Sequence, residues 1–157
     1  MAAGPRPGDP APDFELAGTE GPFRLSAHRG ERVVLLFYPG DNSPVCTRQF
    51  CSYRDHADDM SQLEATFVGI SDQDLDSHIG FIDKHGLTVP LLADTEKKVA
   101  GLYGVTAPVL GTRRATFVID EQGIVRHRQV HALGVDYEDA DDLRAALEAL
   151  DEPAPVD

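Results

Sequence analysis

A run of apolar residues, Val33-Val34-Leu35-Leu36-Phe37-Tyr38, stands out early in the chain. It shows no polar alternation, so it predicts a strand covered on both faces. Pro39-Gly40-Asp41-Asn42 breaks it. Thr66-Phe67-Val68-Gly69-Ile70 predicts a second buried strand, stopped at Ser71-Asp72. Leu75, Ile79 and Ile82 recur at helical spacing, which predicts a helix with that face inward. Val89 to Ala93 reads as a short strand, with Pro90 at its start or at a sheet edge. Glu96 to Tyr103 can form another helix. Arg114 to Asp120 reads as a strand, turned by Glu121-Gln122-Gly123 into a hairpin partner from Ile124 to Val130. Ala140, Leu143, Leu147 and Leu150 then mark one face of a last helix.

Strands alternating with helices argue for an α/β architecture. The late hairpin makes the sheet mixed, because a short turn joins only antiparallel strands. A β-α-β half followed by β-β-α describes a thioredoxin-like fold: a mixed central sheet flanked by helices, with an N-terminal β extension near Asp13 to Leu16 and Phe23 to Leu25. The expected organisation is one domain over residues 1–157, with a core of about 7–150. The first dozen residues and the stretch from Asp151 to Asp157 read as tails rich in Pro, Ala and acid.

The 157 residues carry a formal net charge of -13. Such a chain repels phosphate backbones and anionic lipid, which argues against nucleic-acid and membrane partners. No apolar signal region opens the sequence, and its longest apolar run is too short for a bilayer, so the expected location is cytoplasmic. None of the six histidines has a metal-ligand spacing that also joins a cysteine. Asp72, Asp74 and Asp76 lack the glycine and glutamate of a calcium loop and read instead as helix-capping residues. Neither a metal nor a cofactor is expected.

The two cysteines, Cys46 and Cys51, change the picture. Two close thiols in a reducing compartment are more often redox-active than structural. A helix should begin near Cys46, since Ser43 suits an N-cap and Pro44 the first turn. Cys46 would then lie where unpaired N–H groups and the helix dipole favour a thiolate, the nucleophilic form of the side chain. The Ser43 hydroxyl, three residues before the sulfur, could reach the sulfur or a bound oxygen. Cys51 is five residues further on. On one helix the two Cα atoms would be roughly 8–9 Å apart and about 140° around the axis, whereas a disulfide needs about 4.4–6.8 Å. Either the helix unwinds or the bond does not form.

Pro39-x-x-x-Ser43-x-x-Cys46 matches the peroxiredoxin active-site pattern, and the string on to Phe50-Cys51-x-Tyr53-Arg54-Asp55 resembles the bacterioferritin-comigratory, or Q-type, subfamily. The likeness runs from Pro7-Gly8-Asp9 through Thr116-Phe117-Val118-Ile119-Asp120. It implies that Cys46 is the peroxidatic cysteine, that Pro39 shields it, and that Ser43 hydrogen-bonds the peroxide. It implies that Arg114, within Arg114-Ala115-Thr116-Phe117, completes the pocket from a distant strand. Arg113 is the neighbour to confuse with it, and strand alternation lets only one of the two reach. Three positions depart from the subfamily: Ser43 for threonine, Val45 for glycine and Gln49 for glutamate. The last removes a negative charge one turn from the sulfur.

The resemblance further implies an enzyme that reduces hydrogen peroxide and organic hydroperoxides through a Cys46 sulfenic acid. Cys51 would then resolve it in an intramolecular disulfide, and thioredoxin or a similar dithiol would reduce that bond. A monomer or weak homodimer is expected. Two alternatives stay open at this point. Cys51 could be inert in a one-cysteine peroxidase, or the chemistry could serve a non-enzymatic redox sensor. A thiol-disulfide oxidoreductase is disfavoured, as no Cys-x-x-Cys exists.

Overall fold

The computed structural model describes residues 4–107, 111–131 and 137–151. Its first elements are β1 (Glu15–Gly18), β2 (Phe23–Arg24), β3 (Arg32–Phe37), α1 (Pro44–Asp55), α2 (Ala57–Ser61) and β4 (Ala65–Ser71). There follow α3 (Leu75–His85), β5 (Leu91–Ala93), α4 (Lys98–Leu102), β6 (Thr106–Ala107) and β7 (Gly111–Thr112). Then come β8 (Ala115–Ile119), β9 (Val125–Val130) and α5 (Ala140–Glu148).

The apolar run forms the middle of the sheet. β3 pairs parallel with β4, from Arg32↔Ala65 to Phe37↔Ile70, and antiparallel with β8, from Val33↔Ile119 to Phe37↔Ala115. The full order is β2-β1-β5-β4-β3-β8-β9, with β6 and β7 paired separately. Val33, Leu35 and Phe37 face a cluster with Phe14, Tyr103 and Phe117. Val34, Leu36 and Tyr38 face the other way, onto Phe50, Phe81, Val118 and Leu143. Two covered faces are why every position of the run is apolar. The parallel pairs are joined through helices, while β8 and β9 form the expected hairpin. The Asp120 carboxylate accepts from the Gln122 and Ile124 N–H groups, both at 3.0 Å, and thereby shapes that turn. The result is the mixed, thioredoxin-like sheet, with β1 and β2 added beyond β5.

Two sequence expectations need correction, and two short features went unread. The first dozen residues are not all tail: Gly8 N–H donates to Val125 O at 2.7 Å and Ala11 N–H to Gly123 O at 2.9 Å, and Ala11 is buried. That segment covers the β8–β9 turn, a contact no local pattern announces. On α3 the buried positions are His78 and Phe81, while Ile79 is 41% exposed. The inward face is rotated because a polar residue inside it has partners. Finally, α2 and the β6–β7 pair are too short to leave a periodic signal. The acidic stretch from 152 onward lies outside the described residues.

Gly69 of β4 sets how closely α1 sits on the sheet. A Cβ there would lie 2.7 Å from Leu91 Cδ2 and 2.9 Å from Phe50 Cζ, and Phe50 is one turn after Cys46. Gly69→Ala should therefore destabilise the fold by about 1–3 kcal/mol through overpacking. Denaturant unfolding measures it, and an unchanged midpoint would show that Phe50 yields freely.

Candidate active site

The chain leaves β3 through Tyr38, whose N–H still bonds to Ile70 O at 3.0 Å. Pro39, partly buried, follows at once and turns the backbone into the loop before α1. Ser43 holds the N-cap position with extended backbone, and Pro44 is the first helical residue. The Ser43 hydroxyl makes no side-chain cap; it donates to Gly40 O at 3.2 Å. It thus closes the loop on itself. Cys46 lies in the first turn of α1, fully buried, where the helix leaves backbone N–H groups without helical acceptors.

Arg114 immediately precedes β8 and is buried. Its position follows from strand parity. Thr116 pairs with Leu36 and Val118 with Val34, both on the face that α1 covers, so Arg114 faces α1 as well. Its Nη2 donates to Cys46 Sγ at 3.2 Å. Arg113 points away: it is exposed, and its Nε donates to Thr106 O at 3.3 Å. In a chain of net charge -13, a guanidinium therefore touches the sulfur. A nearby cation favours the thiolate.

Gln49 takes a larger part than its spacing suggests. Cys46, Gln49 and Tyr53 share one stripe of α1 at intervals of three and four. Arg114 Nη1 donates to Gln49 Oε1, Gln49 Nε2 donates to Tyr53 Oη at 2.9 Å, and Tyr53 donates to the Glu138 carbonyl. The amide has a donor and an acceptor, so the chain runs in one direction from the guanidinium to the backbone before α5. Burial pushes the Tyr53 hydroxyl well above its ordinary range, which keeps it a donor. The Glu138 carboxylate in turn holds His127 Nε2, at 2.9 Å and 3.2 Å. Tyr53, Glu138 and His127 carried no signal of this in the sequence, since Tyr53 and Glu138 meet across 85 positions.

Cys51 lies on the same uninterrupted α1, partly buried, and both thiols are free. No group of three or more metal-binding side chains occurs among the described residues. No helix among them is long and apolar enough to cross a membrane. A surface cavity of about 600 Å³ is lined by Arg32, Leu63, Glu64, Thr66, Glu121 and Leu147, around the start of β3. Its lining includes neither Cys46 nor Arg114.

The family model described as AhpC/TSA matches residues 7–128. The chain is a peroxiredoxin of the AhpC/TSA family. Peroxiredoxin Bcp of Bacillus subtilis is 37% identical over 124 residues, which cover 74% of this chain and 79% of that one. The crystal structure of peroxidoxin BcpB from Mycobacterium tuberculosis superposes with a TM-score of 0.82 at 35% identity, covering 93% of this chain and 98% of that one. The bacterioferritin comigratory protein of Xanthomonas campestris, a structure concerned with that protein's alkyl peroxide reduction, gives 0.79 at 27% identity, covering 88% and 92%. The resemblance to the bacterioferritin-comigratory type is thus borne out, and this peroxiredoxin is a thiol peroxidase.

A carboxylate at position 49 would compete with the sulfur for the Arg114 charge. In a Cys51→Ser background, Gln49→Glu should therefore slow alkylation of Cys46 by iodoacetamide at about pH 7 by about threefold or more. An unchanged or faster rate contradicts this. The His127–Glu138 pair makes a second prediction. Its hydrogen bond raises the His127 pKa above the ordinary value, against the opposing effect of burial. A raised pKa stabilises the fold fully below the unfolded value of about 6.5 and is lost as pH rises through the folded value. His127→Gln should lower Tm more at about pH 6 than at about pH 9. Equal losses at both would show that the pair contributes no charge.

Proposed function

We propose that this peroxiredoxin reduces hydrogen peroxide and organic hydroperoxides with Cys46 as nucleophile and Cys51 as resolving thiol. The supporting observation is the Arg114 guanidinium, 3.2 Å from Cys46 Sγ in the first turn of α1. The Cys46 thiolate attacks one peroxide oxygen. The S–O bond forms as the O–O bond breaks, and the leaving oxygen takes a proton to depart as water or alcohol. Arg114 stabilises the charge spread over sulfur and oxygens, the Ser43 hydroxyl turns from Gly40 to the peroxide, and Pro39 screens the sulfur from solvent. Cys51 then displaces hydroxide from the Cys46 sulfenic acid, giving water and an intramolecular disulfide. Thioredoxin or a similar dithiol reduces that bond and is itself oxidised. Alkyl hydroperoxides belong in the substrate class by likeness to the Xanthomonas campestris relative.

One observation favours a second reading. α1 holds both cysteines without a break, so the disulfide requires the turn that carries Cys46 to unwind. If it does not, an external thiol resolves Cys46 and Cys51 stays inert.

Peroxide consumption with thioredoxin and its reductase tests both. Wild type should turn over, and Cys46→Ser should lose activity by about a thousandfold or more. Cys51→Ser should stop thioredoxin-supported cycling while still accepting one oxygen, seen by mass spectrometry. Wild type should instead lose two hydrogens after one equivalent of peroxide. Full cycling by Cys51→Ser supports the one-cysteine reading, and undiminished turnover by Cys46→Ser rejects both.

A further inference from the structure

Behind the loop that leads into α1 lies a buried polar cluster that the chemistry above does not use. The Asp41 side chain and His78 are wholly buried. Tyr38 Oη donates to Asp41 Oδ1 at 2.6 Å, and Ser77 Oγ donates to Oδ2 at 2.7 Å. His78 Nδ1 also meets Oδ2, at 2.7 Å, and lies 3.2 Å from Tyr38 Oη. The Asp41 N–H bonds to the Gln73 side chain. The other imidazole nitrogen, Nε2, faces Leu92 O at 2.9 Å.

A carbonyl only accepts, so His78 Nε2 donates to Leu92 O. Asp41 accepts from two hydroxyl groups and meets the ring at Nδ1. Burial alone would raise the Asp41 carboxyl, but the hydrogen bonds from His78 and Tyr38 hold it below its ordinary value. The ring thus ties two places together: the loop before α1 through Asp41, and β5 through Leu92.

The cluster lies against the Cys46 site. Asp41 is two residues before the N-cap of α1. The Tyr38 ring stands edge-on to Phe50 with centroids 4.7 Å apart, in the same buried group as Cys46. No atom of the cluster is bonded to the sulfur. We propose that His78 is a positioning residue for Cys46, acting through the hydrogen bond between its Nδ1 and Asp41, which holds the β3–α1 loop so that Sγ meets Arg114. This rests on the peroxidase reading for its purpose, though not for its geometry.

Two near-isosteric replacements separate positioning from core packing. His78→Asn keeps a donor near the Nδ1 place, toward Asp41. His78→Gln keeps one near the Nε2 place, toward Leu92 O. Both lose the ring, so both should lower Tm. In a Cys51→Ser background, His78→Gln should slow reaction of Cys46 with hydrogen peroxide and with a bimane alkylating reagent by roughly tenfold or more, while His78→Asn stays within about threefold of its parent. Imidazole NMR of the wild-type protein should show a strongly deshielded, slowly exchanging proton between His78 Nδ1 and Asp41, a readout that survives should either variant fail to fold. Equal rates in the two variants, or no such proton, would overturn the proposal. Alkylation requires no peroxidase activity. A split in alkylation without wild-type peroxide turnover would sink the peroxidase reading alone; turnover without a split would sink only the role of His78.

Discussion

A guanidinium taken out of water demands acceptors on every side, and at Arg114 that demand organises the site. The group is 3% exposed and bonds to Cys46 Sγ and Gln49 Oε1. An isolated buried charge is costly, so it persists only where the fold supplies partners in advance. Here two partners come from one stripe of α1, and the cation from the residue just before β8, the strand that flanks β3. The contact exists only while α1 lies flat on the sheet, which in turn needs Gly69 beneath Phe50 and a strand in β3 that is apolar on both faces. Core packing and the state of the sulfur are one problem in this peroxiredoxin.

The polar groups around α1 show how such a helix is held at both ends. Asp41 fixes the approach to its N-terminus, and Tyr53 ties its later turns to the Glu138 carbonyl. Between them lie both cysteines. Neither anchor is apolar, so each is directional: a hydrogen bond specifies one placement where a hydrophobic contact tolerates several.

The fold was readable where its causes are local. The β3 run, the Asp120–Gly123 turn and the Ser43-Pro44 start of α1 each carry their signal within a few residues. Arg114 was legible through its motif, and alternation along a strand separated it from Arg113. What stayed hidden depends on distance. His78 looked like one polar residue among several on α3, because its partners Asp41 and Leu92 come from other elements. Its burial also displaced Ile79 from the core. Nothing near Ala11 or Tyr53 names Gly123 or Glu138 as a neighbour. Polar residues are scored as outward by any periodicity argument, so a satisfied polar interior is where that argument fails.

The two anchors also limit how far α1 could come apart. A helical residue advances the chain by about 1.5 Å and an extended one by about 3.4 Å, so melting one turn releases roughly 7 Å of slack. That exceeds the few ångströms by which two sulfur-bearing residues five positions apart on a helix miss bonding distance. A frayed first turn, leashed at Asp41, is therefore enough, and the rest of the helix, tethered at Tyr53, need not follow.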